Sequence, residues 1–378
     1  MPSAKTDKSS SFDLCCIIAG GGTGGHLFPG IAVAQELEER FKKSEIYFIT
    51  GHKRMEDQIL ANYGYKVRNI EVEGIKGREL SKVIPALIKL PLSLFQAISL
   101  IRQINPGLVL GMGGYSSGPV CLAAKYMGIY TAIHEQNSYP GLTNRLLARF
   151  VEQVFISFEE SRGLLKSKNI VMTGNPVRQD LFKETKNPLK QAVFRILILG
   201  GSQGARAINE AFVAALEYLN GLGNQIDVVH QTGKADYDRV LQEYHNRGLK
   251  GQISPFIHDM ATAYNQSDLI ISRAGASTIF ELAVLGKPSI LIPYPYATNQ
   301  HQKINAETLA RAGGAEVVIQ DHLDGKSLGD LIMRYMDNRS GLIKMGELAR
   351  KFGRPDAAMD IVNRLLTSCQ KKDKSRRQ

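Results

Sequence analysis

Short unbroken apolar runs of strand length alternate along the chain with stretches whose apolar positions recur every three or four residues, the helical period. Leu14–Ile18 reads as a strand and, after a glycine-rich stretch, Ile31–Phe41 as a helix. Ile46–Ile49, Val67–Val72, Leu108–Leu110, Tyr130–His134 and Gln153–Ile156 read as further strands, with Met55–Tyr63 as a helix. The pattern then restarts with the strand Ile196–Leu199, a second glycine stretch and the helix Ala207–Leu219. Strands over Ile226–His230, Ile253–Phe256, Leu269–Ser272 and Ser289–Ile292 follow, with helices over Ile279–Leu285 and Gln302–Ala312. Such alternation predicts parallel sheets covered by helices. The duplicated opening predicts an α/β chain of two Rossmann-like doubly wound domains facing a cleft. The division should fall near Met172–Pro188, where Gly174, Pro176 and Pro188 interrupt regular structure.

One segment fits neither period cleanly. Ile84–Ile101 is apolar at most positions, including Ile84, Leu87, Ile88, Leu92 and Phe95, yet it contains Pro85, Lys89 and Pro91. Two readings stand: a buried helix of the first domain, or an apolar patch with the basic rim Arg78, Lys82 and Lys89, resting on an anionic bilayer.

Composition narrows the class. A chain of 378 residues with 43% hydrophobic and 22% charged residues is long enough for two cored globular domains. The net charge of +11 favours an anionic partner. The cysteines Cys15, Cys16, Cys121 and Cys369 show no disulfide or metal-ligand spacing, which indicates reduced thiols and no protein-held metal. The polar residues at the start of the chain are expected to be disordered. No run of about 18 uncharged apolar residues suggests a membrane span.

The glycine stretches carry the chemistry. From Gly20 to Gly25 five of six residues are glycine, directly before His26. Such a backbone exposes amides at a helix start, which suits an anion such as phosphate, and His26 adds a group that can take a proton near neutral pH. The spacing Gly20-x-Gly22-x-x-Gly25 matches a dinucleotide fingerprint, but Thr50-Gly51-His52 stands where that fingerprint has its ribose-binding acid. A P-loop would need lysine in place of His26. Gly114–Gly118 and Gly200–Gly204 both satisfy G-x-S-x-G. A serine hydrolase of the α/β class using Ser202, with Asp268 and His301 downstream, is therefore the alternative. A basic nucleic-acid-binding module is a third reading; the glycine loops and the lack of an aromatic-rich basic strand count against it. Asp236-x-Asp238 reads as a surface helix start, not a metal site.

In the second half, Ser272 to Thr278 closes a strand with small residues and opens the helix bearing Glu281. Exposed amides there can hold phosphate, and a carboxylate one turn inside can accept from two ribose hydroxyls. Asn299, Gln300, His301, Gln302 and then Asn305 suit sugar hydroxyls, and Arg178 can reach a phosphate from the domain junction. His134-Glu135-Gln136-Asn137 ends a strand where open sheets put ligand-binding groups.

Taken together, GGGTGGHLFPGIAVA, GMGGYSSGP, HEQN, GNPVR, GGSQGA, SRAGASTIFE and NQHQ..NA closely resemble the peptidoglycan UDP-N-acetylglucosamine:lipid I N-acetylglucosaminyltransferases, in that family's order. The resemblance implies a B-type glycosyltransferase fold and inverting transfer of N-acetylglucosamine to the muramyl C4 hydroxyl of lipid I, giving lipid II and UDP. It gives an N-terminal acceptor and membrane-associating domain (13–175) and a C-terminal UDP-sugar-binding domain (176–352), while the extension expected to be disordered (1–12) and the basic tail (371–378) lie outside it. A helix crossing back to the first domain (353–370) follows the second domain. It implies that Asn137, Gln302 and His301 contact the transferred sugar, and that Arg178 and Ser202 meet the diphosphate. The Ile257 backbone would read the uracil and Glu281 the ribose, while Ala276, Ser277 and Thr278 line the nucleotide site. Thr23, Gly24 and Gly25 would join these contacts from the acceptor side of the cleft, with His26 as candidate base. Ile84, Leu87, Ile88, Leu92 and Phe95 would form the membrane patch. The implied partners are UDP-N-acetylglucosamine, lipid I, an anionic membrane surface and other cell-wall synthesis enzymes, with no nucleic acid. The implied location is peripheral, on the cytoplasmic face of the plasma membrane. No cofactor is implied, although a soluble divalent cation remains compatible with stimulation.

Overall fold

The computed structural model describes residues 14–51, 54–72, 80–182, 193–200, 204–248 and 251–377. The extension expected over residues 1–12 and the loop residue Ser202 lie outside them. In the first half, β1 (Leu14–Gly20), α1 (Gly24–Arg40), β2 (Ser44–Gly51), α2 (Arg54–Asn62) and β3 (Lys66–Ile70) alternate. There follow α3 (Leu80–Ile104), β4 (Leu108–Gly113), α4 (Gly114–Tyr126), β5 (Tyr130–Glu135), α5 (Leu142–Leu147), β6 (Gln153–Ile156) and β7 (Ile170–Met172). The second half runs β8 (Phe194–Leu199), α6 (Arg206–Leu219), β9 (Ile226–Gln231), α7 (Tyr237–Asn246), β10 (Gln252–Ser254) and α8 (Met260–Asn265). It continues with β11 (Leu269–Ser272), α9 (Ala276–Leu285), β12 (Ser289–Leu291), α10 (His301–Arg311) and β13 (Glu316–Val317). Three helices close the chain: α11 (Gly325–Asp337), α12 (Arg339–Phe352) and α13 (Ala357–Arg377).

The seven-stranded sheet has the order β3-β2-β1-β4-β5-β6-β7, and the six-stranded sheet β10-β9-β8-β11-β12-β13. β1 pairs in parallel with β2 and β4, and β8 in parallel with β9 and β11. The two sheets thus share one strand order. In each, the crevice lies where the winding reverses, at the carboxyl ends of β1 and β4 or of β8 and β11.

Burial follows the two-residue period of a strand covered on both faces. Cys16 and Ile18 enter one core with Leu27, Ile31 and Phe48, while Ile17 and Ala19 enter the other with Val109, Val120 and Ile133. Ile196 and Ile198 likewise part from Leu197 and Leu199 in the second sheet. Ile361, Val362 and Leu365 of α13 complete the first-domain core on the α1 side, so the last helix packs against the first sheet's layer.

Several details depart from the sequence pattern. β7 and β13 have three and two residues, too few to leave a periodic signature. α1 starts seven residues earlier than the apolar spacing suggests, so Gly24, Gly25 and His26 form its first turn. The helical backbone of α3 continues through Pro85 and Pro91, and that of α13 continues through the basic residues to Arg377. Gly111-Met112-Gly113-Gly114, a glycine-rich end to the fourth strand that suggests a loop, does not form one. β4 passes directly into α4, with Gly113 at φ 90 and Gly114 at φ 78. A Cβ on Gly114 would also overlap the Gly21 carbonyl oxygen.

Candidate functional site

The carboxyl ends of β1, β4 and β5 carry the first-domain side of the site. Thr23 caps α1 in an extended conformation without a side-chain cap bond, and His26 follows in the first turn. His26 Nδ1 lies 3.0 Å from Gln136 Oε1, just past β5. Gln136 Nε2 in turn donates to the Met112 carbonyl at 2.9 Å and meets His134 Nδ1 at 3.1 Å. His134 is fully buried, and desolvation lowers its imidazole from 6.5 to about 4, so it is neutral at pH 7. Glu135 is committed to its own turn: its carboxylate accepts from the Asn137 and Gly141 amides at 3.0 Å each, and from Asn144 Nδ2 at 2.9 Å.

The glycine loop itself already holds an anion. The Gly22 amide donates to Glu56 Oε1 of α2 at 2.6 Å, and Glu56 is buried. A carboxylate thus uses the N–H group expected to face phosphate. Nothing periodic in Arg54-Met55-Glu56-Asp57 marks Glu56 as part of the loop; only the fold brings it there.

On the second-domain side, Gly275 precedes α9 in an extended conformation. Ser277 Oγ donates to the Gly25 carbonyl at 3.4 Å, so the first turns of α1 and α9 meet across the domain junction. Glu281, in the second turn of α9, accepts from the Tyr264 hydroxyl at 2.9 Å. Burial raises its carboxyl above the ordinary range, against the pull of Arg178. Arg178 Nη2 lies 3.7 Å from Glu281 Oε1. The same guanidinium sits 4.1 Å from the centre of the Phe28 ring, donates to Tyr63 Oη at 3.2 Å and lies 3.7 Å from Asp180. Phe28 and Tyr63 are first-domain residues to which the sequence assigned no role at the site.

The sugar-side residues converge on α10. Asn299 and Gln300 both adopt the left-handed region, at φ 52 and φ 53, a conformation that costs non-glycine residues about 1 kcal/mol or more each. This turn delivers His301 and Gln302 to the helix start. His301 Nδ1 meets the Thr298 carbonyl at 2.8 Å, and Gln302 Oε1 accepts from the Tyr294 amide at 3.0 Å. Asn305, expected among the sugar-facing groups, is instead fully buried as a cross-domain tie. Its Oδ1 accepts from the Ser138 amide and hydroxyl at 2.9 and 2.7 Å, and its Nδ2 donates to Asn137 Oδ1 at 3.3 Å. Ile257 is anchored by its amide, which donates to Gln231 Oε1 at 2.9 Å. Ala276 and Thr278 share the first turn of α9 with Ser277.

Other expectations separate. Asp268 precedes β11, at the amino end of an interior strand and so opposite the site, and its oxygens accept from the Arg195 amide and Arg339. It cannot join His301 in a hydrolase triad. Ser116 and Ser117 are buried in the first turn of α4, unlike an exposed nucleophile. Asp236 binds Arg239 and Asn209 at the start of α7. Among the described residues no group of three or more His, Cys, Asp or Glu is placed to hold a metal ion. On α3, Phe95 is 70% exposed and Leu90 and Leu92 are 45% and 44% exposed, while Ala97 and Ile101 are buried. The side chains of Ile84, Leu87 and Ile88 lie outside the described residues. Tyr115, Leu122 and Tyr126 of the adjoining α4, then Leu142, Leu146 and Phe150, are further exposed apolar positions. No described helix is long and apolar enough to cross a membrane.

Comparison with known proteins gives a consistent picture. Residues 16–156 match the glycosyltransferase family 28 N-terminal domain, and residues 195–361 match the family 28 C-terminal domain. The chain is 45% identical over 350 residues to a protein of Syntrophus aciditrophicus, covering 92% of this chain and 96% of the relative. A Myxococcus xanthus relative is 40% identical over 348 residues, covering 92% and 91% of the two chains. Both are named UDP-N-acetylglucosamine–N-acetylmuramyl-(pentapeptide) pyrophosphoryl-undecaprenol N-acetylglucosamine transferase. The crystal structure of Acinetobacter baumannii MurG is similar at a TM-score of 0.74 and 31% identity, with 94% of this chain and 99% of that chain covered.

Proposed function

The chain belongs to glycosyltransferase family 28, and from that membership we propose that it transfers N-acetylglucosamine from UDP-N-acetylglucosamine to the muramyl C4 hydroxyl of undecaprenyl-pyrophosphoryl-MurNAc-pentapeptide. The transfer inverts the anomeric centre and gives lipid II and UDP. The observation that carries this reading is the meeting of the α1 and α9 first turns, through Ser277 Oγ and the Gly25 carbonyl. This contact supports reading the two helix starts as the base side and the diphosphate side of one cleft. Membership in this family sets aside the hydrolase using Ser202.

In the proposed reaction His26 takes the C4 hydroxyl proton. The oxygen bonds to the anomeric carbon as the bond to the β-phosphate oxygen breaks, and UDP leaves with the electron pair. Charge then grows on the diphosphate, where the positive end of α9 with Ala276, Ser277 and Thr278, together with Arg178 and Ser202, stabilises it. Arg178 exchanges its contact with Glu281 for phosphate, and Glu281 turns to the ribose hydroxyls. Ile257 reads the uracil, while Asn137, His301 and Gln302 hold the sugar. Thr23, Gly24 and Gly25 line the acceptor side, where the lipid pyrophosphate competes with Glu56 for the loop amides.

The acceptor's lipid tail makes the membrane the natural location. Leu92 and Phe95, with Ile84, Leu87 and Ile88 on the same helix, rest on an anionic bilayer, and the net charge of +11 favours that contact. The enzyme acts peripherally at the cytoplasmic face, alongside other cell-wall synthesis enzymes. It holds no resident cofactor; a soluble divalent cation would act on the departing diphosphate. The test is a transfer assay with labelled UDP-N-acetylglucosamine and a lipid I analogue. A labelled disaccharide lipid is expected, and its absence with folded protein rejects the reading.

A further inference from the structure

A histidine base works only if its lone pair lies on the nitrogen that faces the reacting hydroxyl, and a neutral imidazole has two choices. In water the neutral histidine side chain favours the proton on Nε2. The partner of one ring nitrogen decides the tautomer in a protein. We propose that Gln136 is a positioning residue that holds neutral His26 with its proton on Nδ1 and its lone pair on Nε2. The inference rests on His26 being the base.

Hydrogen-bond complementarity fixes every proton in the chain of contacts. The Met112 carbonyl at 2.9 Å and the His134 carbonyl at 3.3 Å can only accept, so the amide nitrogen of Gln136 must face them. The opposite orientation would set two carbonyl oxygens against the amide oxygen in a site where Gln136 is 1% exposed. The amide oxygen then faces His26 Nδ1 at 3.0 Å and can only accept, so Nδ1 carries the proton. His134 closes the argument from the other side. Its Nε2 meets the Gly174 carbonyl at 3.1 Å, only an acceptor, and the Ser157 hydroxyl at 3.3 Å, which can accept, so that nitrogen is protonated. Its Nδ1 therefore accepts from Gln136 Nε2 at 3.1 Å. Burial keeps His134 neutral, so this second imidazole orients the amide and leaves the acceptor proton to His26.

Gly113 completes the seat. A Cβ there would lie 3.0 Å from His26 Cε1 and 3.1 Å from Nδ1, so the missing side chain lets that edge of the ring rest on the β4–α4 turn. The contact sequence also reaches the domain junction, because Gly174 lies in the segment between the two sheets. The tautomer of the base is thus set by backbone carbonyls of β4, β5 and the junction, relayed through one amide and one imidazole.

Nitrogen NMR on the full chain labelled at its eight histidines reads the tautomer directly, with His26→Ala assigning the signal. At a pH where the imidazoles are neutral, His26 is expected to show a protonated Nδ1 and an unprotonated Nε2. The reverse pattern overturns the proposal without any further variant. Gln136→Leu is expected to shift His26 toward the Nε2-protonated form and lower kcat about 100-fold, with the KM for UDP-N-acetylglucosamine within about 2-fold. If Gln136→Leu leaves the tautomer unchanged, the proposal fails. If the tautomer shifts and kcat does not, its catalytic part fails together with the assignment of His26 as base. If Gln136→Leu does not fold, the wild-type tautomer decides. Wild-type protein with the expected tautomer but no transfer activity would reject the proposed reaction while leaving the proton arrangement intact.

Discussion

Arg178 and Glu281 approach to 3.7 Å where both are about one-tenth exposed, so each limits the cost of burying the other. The Phe28 face and the Tyr63 hydroxyl steady the guanidinium, and the Tyr264 hydroxyl steadies the carboxylate. Removing only the cation leaves a buried carboxylate with the Tyr264 hydroxyl bonded to it and the like charge of Asp180 nearby. Arg178→Met is therefore expected to lower stability by about 3 kcal/mol in urea unfolding and to weaken UDP binding. Adding Glu281→Gln should restore part of the stability, because the uncompensated charge is gone, without restoring UDP affinity. A double variant no more stable than Arg178→Met would show that the two charges do not compensate one another.

At the scale of elements, α3 presents apolar side chains in two directions. Ala97 and Ile101 enter the first-domain core, while Phe95 is 70% exposed, with the exposed Leu92 three residues before it on the same side. Exposed large apolar groups clustered on one face call for a partner. Phe95→Ser should leave the unfolding free energy within about 0.5 kcal/mol of wild type, as for a surface change. It should weaken co-sedimentation with phosphatidylglycerol vesicles by about tenfold, the value of one withdrawn aromatic side chain. Equal vesicle binding by the two proteins would remove this face from the docking surface. The β4–α4 turn shows the opposite constraint. Gly114 has φ 78 and no room for a Cβ against Gly21, so the two glycine stretches of the first domain are fitted to each other.

Across the whole molecule, each domain buries one neutral histidine among the described residues. Desolvation lowers His134 to about 4 and His230 to about 3, from an ordinary 6.5. His230 sits between Tyr244 and Asn209, at 3.1 and 3.0 Å. Below pH 6.5 the unfolded chain binds protons that the folded chain refuses, so stability falls with pH through the interval down to these lowered values. It is complete above that interval. The loss should approach about 1.4 kcal/mol per pH unit for each histidine. Thermal midpoints are expected to drop steadily between pH 7 and 5, and His230→Gln should lessen the slope while keeping an amide in the site. A flat profile over that range would mean that neither imidazole is held neutral by folding.

The chain's local chemistry determined the class of molecule. Continuous apolar runs on β1, β4 and β8 can be satisfied only by sheets covered on both faces, and glycine directly after β1 and β8 forces tight turns at the carboxyl ends of both. His26 was legible as a candidate because it stands directly behind a glycine turn, Glu281 because it lies in the helix opened by the small residues Ser272 to Thr278, and Gln302 because it belongs to a polar run. The partnerships were not legible. Glu56 on the Gly22 amide, Asn305 on Ser138, Arg178 between Phe28 and Glu281, and α13 across the α1 face join residues far apart in the chain. No period or spacing encodes such pairs, and β7 and β13 are too short to show one. The proton on His26 is the sharpest case. The sequence supplies an imidazole and, far along the chain, an amide; only the packed carbonyls of Met112, His134 and Gly174 decide which way each must face.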